Sequence, residues 1–155
     1  MAEQLQIRPA TVSDAATIAA FNVAMAAETE GLALDPDTVA AGVLGLLTHP
    51  ERGFYLVAED DGVVVGQLMC TFEWSDWRNG VQYWIQSVYV MPSARRRGVY
   101  RALYEALVGR ANDAGAAGVR LYVHHDNVVA QQTYSALGMD AAEYRIFEVD
   151  FVLAR

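Results

Sequence analysis

Lysine is absent from this 155-residue chain, so all eleven of its cationic side chains are arginines. Arginine offers paired donors to phosphate, but so complete a bias reflects genome composition more than function. Cationic charge is scarce as well: the net charge is −8 and the sequence pI about 4.7. A chain of that balance has no extended basic surface, which argues against a nucleic-acid partner. The single cysteine, Cys70, excludes an intrachain disulfide. It alternates with Leu68 and Phe72, as a small buried hydrophobe on a strand would, and is discounted as a nucleophile. Repeats, low-complexity tracts and linkers are missing, as is any apolar run long enough to cross a bilayer. The Met-Ala-Glu-Gln start lacks the basic and apolar regions of a signal peptide, so a cytoplasmic protein without a membrane partner is expected. No His/Cys/Asp cluster has metal-ligand spacing. The nearest, His124-His125-Asp126, reads as part of a strand, where adjacent residues point to opposite faces, so no metal is expected.

What is present is 54% apolar residues against 19% charged, the balance of a globular chain, and the length suits one domain over residues 1–155. Four of the eleven arginines fall in residues 95–101. They follow an apolar strand, Val81 to Val90, and precede a helix with Val99, Leu103, Ala106 and Leu107 at helical spacing, from about Gly98 to Ala114. A strand that ends in a basic, glycine-containing loop opening a helix gathers unpaired N–H groups at the positive end of a helix dipole. Such a cluster, set against the charge of the whole chain, points to a small anionic ligand.

The remaining elements follow from periodicity and turn residues. Leu5 to Pro9 reads as a strand. Ser13 or Asp14 can cap a helix reaching about Ala27, and an acidic link, Glu28 to Leu32, leads to a second helix from near Asp35-Pro36-Asp37 to before Pro50. Phe54 to Ala58 and Val63 to Trp74 read as strands joined by the turn Asp60-Asp61-Gly62, with Gly66, Leu68, Cys70, Phe72 and Trp74 on one face. A polar loop, Ser75 to Gly80, comes before Val81. Val119 to His124 alternates as a strand, Asn127 opens a helix that ends at Leu137-Gly138, and Tyr144 to Leu153 reads as a closing strand or hairpin arm.

Arg95-Arg96-Arg97-Gly98-Val99-Tyr100 resembles the acyl-CoA-binding motif of the GNAT superfamily of N-acyltransferases: Arg or Gln, two variable residues, Gly, one variable residue, then Gly or Ala. Tyr100 stands where that pattern has its small final residue. The stretch from Asn127 through Ala130 and Tyr134 to Gly138 is similar to the superfamily's second motif. The order of elements (strand, two helices, three strands, helix, strand, helix, strand) matches over nearly the whole chain.

The resemblance implies an α/β (α+β) fold: a mixed, mostly antiparallel sheet splayed near its middle and flanked by about four helices. It implies acetyl-CoA as co-substrate, with the backbone of Val88, Tyr89 and Val90 on the pantetheine arm. The loop from Arg95 through Arg96, Arg97, Gly98, Val99 and Tyr100 to Arg101 would hold the phosphates. Asn127 would cap its helix or bond the pantetheine, Ala130 would leave room for it, and Tyr134 would protonate the departing thiolate. Transfer would go directly to an amine, with no covalent enzyme intermediate. Some members carry a Glu base on the fourth strand; Gln86 and Ser87 stand there instead, so the proton would leave through water, Glu28, Glu73 or His124, or the acceptor would arrive neutral. Glu28, Glu30, Glu73 and Asp76 fall in two loops that family geometry places beside the thioester, with Trp74 and Trp77 as aromatic walls. An amine of a small molecule or peptide is the expected acceptor, and a second copy of the chain, as a homodimer, is a further candidate partner. A non-catalytic sensor that binds CoA is the competing reading, raised by Tyr100 and by Gln86.

Overall fold

The computed structural model describes residues 4–154, and its contacts divide the chain into two compact units, Met1–Tyr122 and Val123–Arg155. The first unit is built on a five-stranded sheet in the order β1-β2-β3-β4-β5. Its strands are β1 (Leu5–Pro9), β2 (Gly53–Asp60), β3 (Val63–Ser75), β4 (Gly80–Val90) and β5 (Gly118–Leu121). The first three pairings are antiparallel and β4 with β5 is parallel. The mixed, mostly antiparallel sheet expected from the sequence is therefore present, and with it four helices.

Three helices lie in the first unit: α1 (Ala15–Glu30), α2 (Pro36–Leu47) and α3 (Val99–Asp113). The start of α2 follows from local chemistry: Pro36 is compatible with a first helical position, and the Asp35 carboxylate accepts from the Thr38 amide at 2.9 Å and its hydroxyl at 2.6 Å. Helix α3 buries Val99, Leu103, Leu107 and Ala111, a stripe at every fourth residue. The stripe packs with Leu56, Leu68, Cys70 and Ile85 into one core. On the other face of the sheet Ile18, Val43 and Leu46 of α1 and α2 meet Tyr55 and Val57 in a second core. Helices on both faces thus cover the middle strands. Burying a leucine such as Leu103 or Leu107 contributes roughly 1.5–3 kcal/mol, so the α3 stripe fixes the helix start firmly against the sheet.

Asp14 was one of two candidate caps for the first helix. Its carboxylate is instead taken by Arg8 at 2.9 and 3.0 Å and by the Thr11 amide at 2.7 Å, and Arg8 also reaches Glu59 at 2.8 Å. This network ties β1, the head of α1 and the end of β2 together. Helix α1 runs past Ala27 to Glu30, absorbing most of the acidic segment that the sequence suggested as a link. Acidic residues oppose the dipole at a helix C-terminus. Glu28 escapes part of that penalty through an ion pair with Arg95, described below.

The second unit contains α4 (Val128–Ala136), with the Asn127 side chain accepting from the Ala130 amide at 3.1 Å. Of the two roles open to Asn127, capping is the one observed here. Gly138 takes a φ of 91°, the left-handed turn expected at the helix end. Two expectations fail. The strand anticipated to His124 stops at Leu121, and Tyr144 to Leu153 forms no strand. Alternation in a sequence reports a side-chain pattern, whereas a strand also needs a neighbour for its backbone groups. The sheet has no sixth member among the described residues.

Candidate active site

Strand β4 supplies the frame. Its ladder with β5 covers only Gln82 to Ile85, although β4 continues to Val90. Beyond Ile85 the β5 side of β4 has no ladder partner among the described residues, because β5 itself ends at Leu121, opposite Ile85. At the same point the register with β3 steps from Cys70 opposite Ile85 to Met69 opposite Ser87, leaving Gln86 as the extra residue of a β-bulge. The Gln86 amide donates to Thr71 Oγ1 at 2.9 Å. Ser87 Oγ receives the amide of Gln67 at 3.3 Å, and Gln67 is fully buried, its Oε1 without a hydrogen-bond partner. Gln67 was not anticipated as part of a site. Its only signal in the sequence is a polar residue inside the apolar run Val63 to Met69.

Val88 packs against the α3 core and Val90 is buried within it, while Tyr89 sets its ring 5.1 Å from that of Phe21. A short 3-10 turn, Pro92–Ala94, follows, and then the arginine loop. Arg96 has φ 63° and Gly98 φ 79°, two left-handed residues within three positions. For glycine this conformation is free of strain; for arginine it costs roughly 1–2 kcal/mol. The reward is direction: Gly98 is the N-cap of α3, whose first intrahelical bond joins the Ala102 amide to the Gly98 carbonyl at 3.0 Å. The amides ahead of it point out of the helix end, where the dipole is positive. A Cβ built on Gly98 would meet no atom within 4 Å, so the space in front of the helix is open. Tyr100, the departure from the motif, packs its side chain against the α3 core.

The loop arginines are tied to carboxylates. Arg95 donates from Nε to the Val90 carbonyl at 2.9 Å and from Nη2 to Glu28 at 2.7 Å. Arg97 meets Asp60 at 3.0 Å, and Arg101 meets Glu105 at 2.8 Å one turn along α3. Among the described residues Arg96 makes no ion pair. Partly exposed pairs of this kind contribute about 0–1 kcal/mol each, so they orient the guanidinium groups without locking them away from an anion.

The acidic and aromatic candidates are less concentrated than the sequence suggested. Glu28 and Glu30 lie in the last turn of α1 and Glu73 lies on β3, not in loops. Glu73 reaches Arg120 at 3.4 Å, and the Arg120 guanidinium lies 5.9 Å from the Trp84 ring. Glu28 and Glu73 therefore have separate arginine partners. Trp74 is 63% exposed and Trp77 85%. Cys70 is buried, and burial pushes its thiol up to about 12, in keeping with a packing role.

In the second unit Ala130 and Tyr134 lie on α4 and are half-buried. His124, His125 and Asp126 precede it in a turn, not a strand. Their ligand atoms come within 4.8 Å of one another and the two rings stack at 4.5 Å, so the expectation that they face apart is wrong. Adjacent residues diverge only while the backbone stays extended.

A bulged strand with a bare edge runs into a basic loop at an open helix N-terminus, and the family comparison decides where such a site belongs. Residues 19–139 match the model of the Acetyltransferase (GNAT) family. The chain belongs to the GNAT acetyltransferases. Among solved structures, a possible acetyltransferase from Clostridium difficile 630 is 41% identical, with a TM-score of 0.89 over 97% of this chain and 100% of that one. The aminoglycoside N-acetyltransferase AAC(6')-Iy in complex with CoA shares the fold at 18% identity, with a TM-score of 0.81 over 97% of each chain. A ribosomal-protein-alanine N-acetyltransferase from Brucella melitensis biovar Abortus 2308 does so at 18% identity, with a TM-score of 0.76 over 96% of this chain and 100% of that one. No curated protein matches the chain. No helix among the described residues of this GNAT protein is long and apolar enough to cross a membrane.

Proposed function

We propose that this GNAT protein is an N-acetyltransferase that moves the acetyl group of acetyl-CoA to a primary amine of a small molecule or peptide. The observation that carries the reading is the bare edge of β4 beyond Ile85, continued by the loop that opens α3 at Gly98. The edge offers backbone groups to an amide-bearing arm, and the helix mouth offers amides and guanidinium groups to phosphates. Both halves of a CoA-shaped ligand thus find suitable donors and acceptors. Acetyl-CoA, when bound, supplies the activated acyl group.

The chain's own residues do the rest. Val88, Tyr89 and Val90 present the backbone that holds the arm and helps polarise the acyl carbonyl, the kind of aimed donor that is usually the largest contribution in acyl transfer. Arg95, Arg96, Arg97 and Arg101, with the amides from Gly98 to Tyr100, hold the phosphates. The amine attacks the acyl carbon directly, the carbon–sulfur bond breaks, and Tyr134 gives its phenolic proton to the thiolate. Gln86 and Ser87 have no basic group, so the amine's proton leaves through water or through a carboxylate such as Glu28 or Glu73. Glu28, Glu30, Glu73 and Asp76, with Trp74 and Trp77, favour an amine on a cationic or aromatic body over an acidic one. Proteins of the same fold named for aminoglycoside and for ribosomal-protein-alanine acetylation fit an amine acceptor.

The test is acetyl transfer across amines that differ only in a distal ammonium, phenyl or carboxylate group, with Tyr134→Phe beside the native protein. Turnover should be fastest with the ammonium or phenyl members, and Tyr134→Phe should lower kcat by roughly 10²-fold while acetyl-CoA affinity stays near native. Acetyl-CoA binding with no transfer to any amine would favour the sensor reading. Native kcat in the variant would remove Tyr134 from the chemistry.

A further inference from the structure

The chain has three histidines, and two of them are neighbours, His124 and His125, followed at once by Asp126. The backbone turns there, so side chains that an extended strand would send to opposite faces come together. One ligand atom of each lies within 4.8 Å of the others. His125 Nε2 is 3.3 Å from Asp126 Oδ1, His124 Nδ1 is 4.0 Å from Asp126 Oδ2, and the two rings stack with centroids 4.5 Å apart.

The turn is fastened through its carbonyls, which leaves these side chains available. The His124 carbonyl accepts from the Asn127 amide at 2.9 Å and from Gln131 Nε2 at 3.2 Å, and the same Gln131 nitrogen donates to the His125 carbonyl at 3.0 Å. Asn127 then caps α4. The His125 and Asp126 side chains are 84% and 79% exposed, and an exposed ion pair is a weak restraint. His124 Nδ1 accepts from the Asp126 amide at 3.2 Å, so the nitrogen on the Asp126 side carries a lone pair rather than a proton.

We propose that His124, His125 and Asp126 form a site for one divalent transition-metal ion, bound through His124 Nδ1, His125 Nε2 and a carboxylate oxygen of Asp126. The donor set selects the class: two imidazoles and a carboxylate suit zinc, nickel or copper, whereas calcium and magnesium call for oxygen ligands. The size fits as well. Zinc bonds of about 2.0–2.2 Å at tetrahedral angles set neighbouring ligand atoms roughly 3.3–3.5 Å apart. His125 and Asp126 already have that spacing, and His124 has to close by less than about 1 Å, which rotation of partly exposed side chains supplies. Three protein ligands leave a fourth position to water. The ion ties together the turn that leads into the Asn127 cap, so the head of α4 is what it steadies. All three ligands lie in the second unit, and the site does not depend on the acyl-transfer reading.

The experiment is calorimetric titration of the chelator-treated full chain, free of any polyhistidine tag, with Zn²⁺ alone. His124→Ala, His125→Ala and Asp126→Asn are compared with the native protein, and His49→Ala is the control, since His49 lies after α2 with Nδ1 2.9 Å from the Gly45 carbonyl. The native protein should take up one Zn²⁺ per chain at micromolar concentration, and amide exchange over 124–131 should slow when it is bound. Each of the three variants should lose at least about 10-fold in affinity, and His49→Ala nothing. Absence of binding below millimolar Zn²⁺ overturns the proposal. So does native affinity in any of the three variants, which would reduce the site to adventitious binding by a lone imidazole, or an equal loss in His49→Ala, which would move the ion elsewhere. Should a variant fail to fold, Cu²⁺ paramagnetic resonance of the native protein decides the matter: hyperfine structure from two imidazole nitrogens upholds the site, and from one or none overturns it.

Discussion

Gly98→Ala separates the conformational role of the helix mouth from its chemical one. Gly98 sits at φ 79° and ψ 8°, so an L side chain there costs about 1–2 kcal/mol of backbone strain. The new methyl meets nothing within 4 Å, and strain is therefore the whole cost to the unliganded fold. For a chain of this length about 2–4 °C is lost per kcal/mol, which puts the fall in Tm at about 2–8 °C. The methyl would stand in front of the first-turn amides of α3. If phosphate must approach those amides, losing one charge-assisted hydrogen bond costs roughly 1.5–3 kcal/mol, about 10- to 100-fold in acetyl-CoA Kd. Calorimetric titration and a thermal melt on the same samples measure the two effects separately. Gly42→Ala is the control: Gly42 lies within α2, a Cβ there also meets nothing, and its Tm should rise with Kd unchanged. A lowered Tm with native Kd at Gly98 would refute the placement of phosphate at the helix mouth.

Arg97→Ala should weaken acetyl-CoA binding by roughly 1–3 kcal/mol, the scale of a charged hydrogen bond, while Asp60→Asn, which removes only the carboxylate partner, should leave affinity at or above native by titration. Equal weakening in both would mean that the ion pair serves to shape the loop and that the guanidinium does not touch the ligand. Asp14 is held below its ordinary 3.8 by the hydrogen bonds from Arg8, against the opposing effect of its partial burial. Its ionised form therefore stabilises the fold above pH ~4, and that contribution is lost as pH falls through the lowered folded value. Urea titrations across this range should show Asp14→Asn less stable than native at neutral pH and losing less as acid is added; parallel pH curves would show that the network does not couple to folding.

The chain's periodicities expose most of the fold because burial is regular there. The α3 stripe at 99, 103, 107 and 111, and the alternation of Leu68 and Cys70 on β3, are direct images of the core between α3 and the sheet. Gly98 and the arginine loop were legible for the same reason, since backbone direction and charge are local properties. Partners distant in sequence were not. Nothing near Arg95 or Arg97 announces Glu28 or Asp60, which lie 67 and 37 positions away and are joined only by the fold. Nor could Tyr144 to Leu153 be read correctly, because a strand-like pattern does not say whether a neighbour is there to pair with. The turn at His124 to Asp126 eluded the reading because two stacked imidazoles and an alternating strand are spelled alike.

The bulge at Gln86 has a consequence for how β4 encodes its two faces. On the approach to it, the odd-numbered Tyr83 and Ile85 meet the α3 core; past it, the even-numbered Val88 and Val90 do so. One extra residue therefore acts as a frameshift in the strand, resetting which letters face inward. The half that pairs with β5 and the half with the bare edge are written in opposite phases. Deleting Gln86 would let the strand alternate without a break, with Ile85, Val88 and Val90 still on the core; flattening the bulge with Gln86 kept would, if the first half held its register, send Ser87 and Tyr89 into the apolar core and Val88 and Val90 out of it. The two halves can then vary separately in sequence, one under the demands of the sheet and the other under those of whatever lies along its open side, so long as the bulge between them is kept.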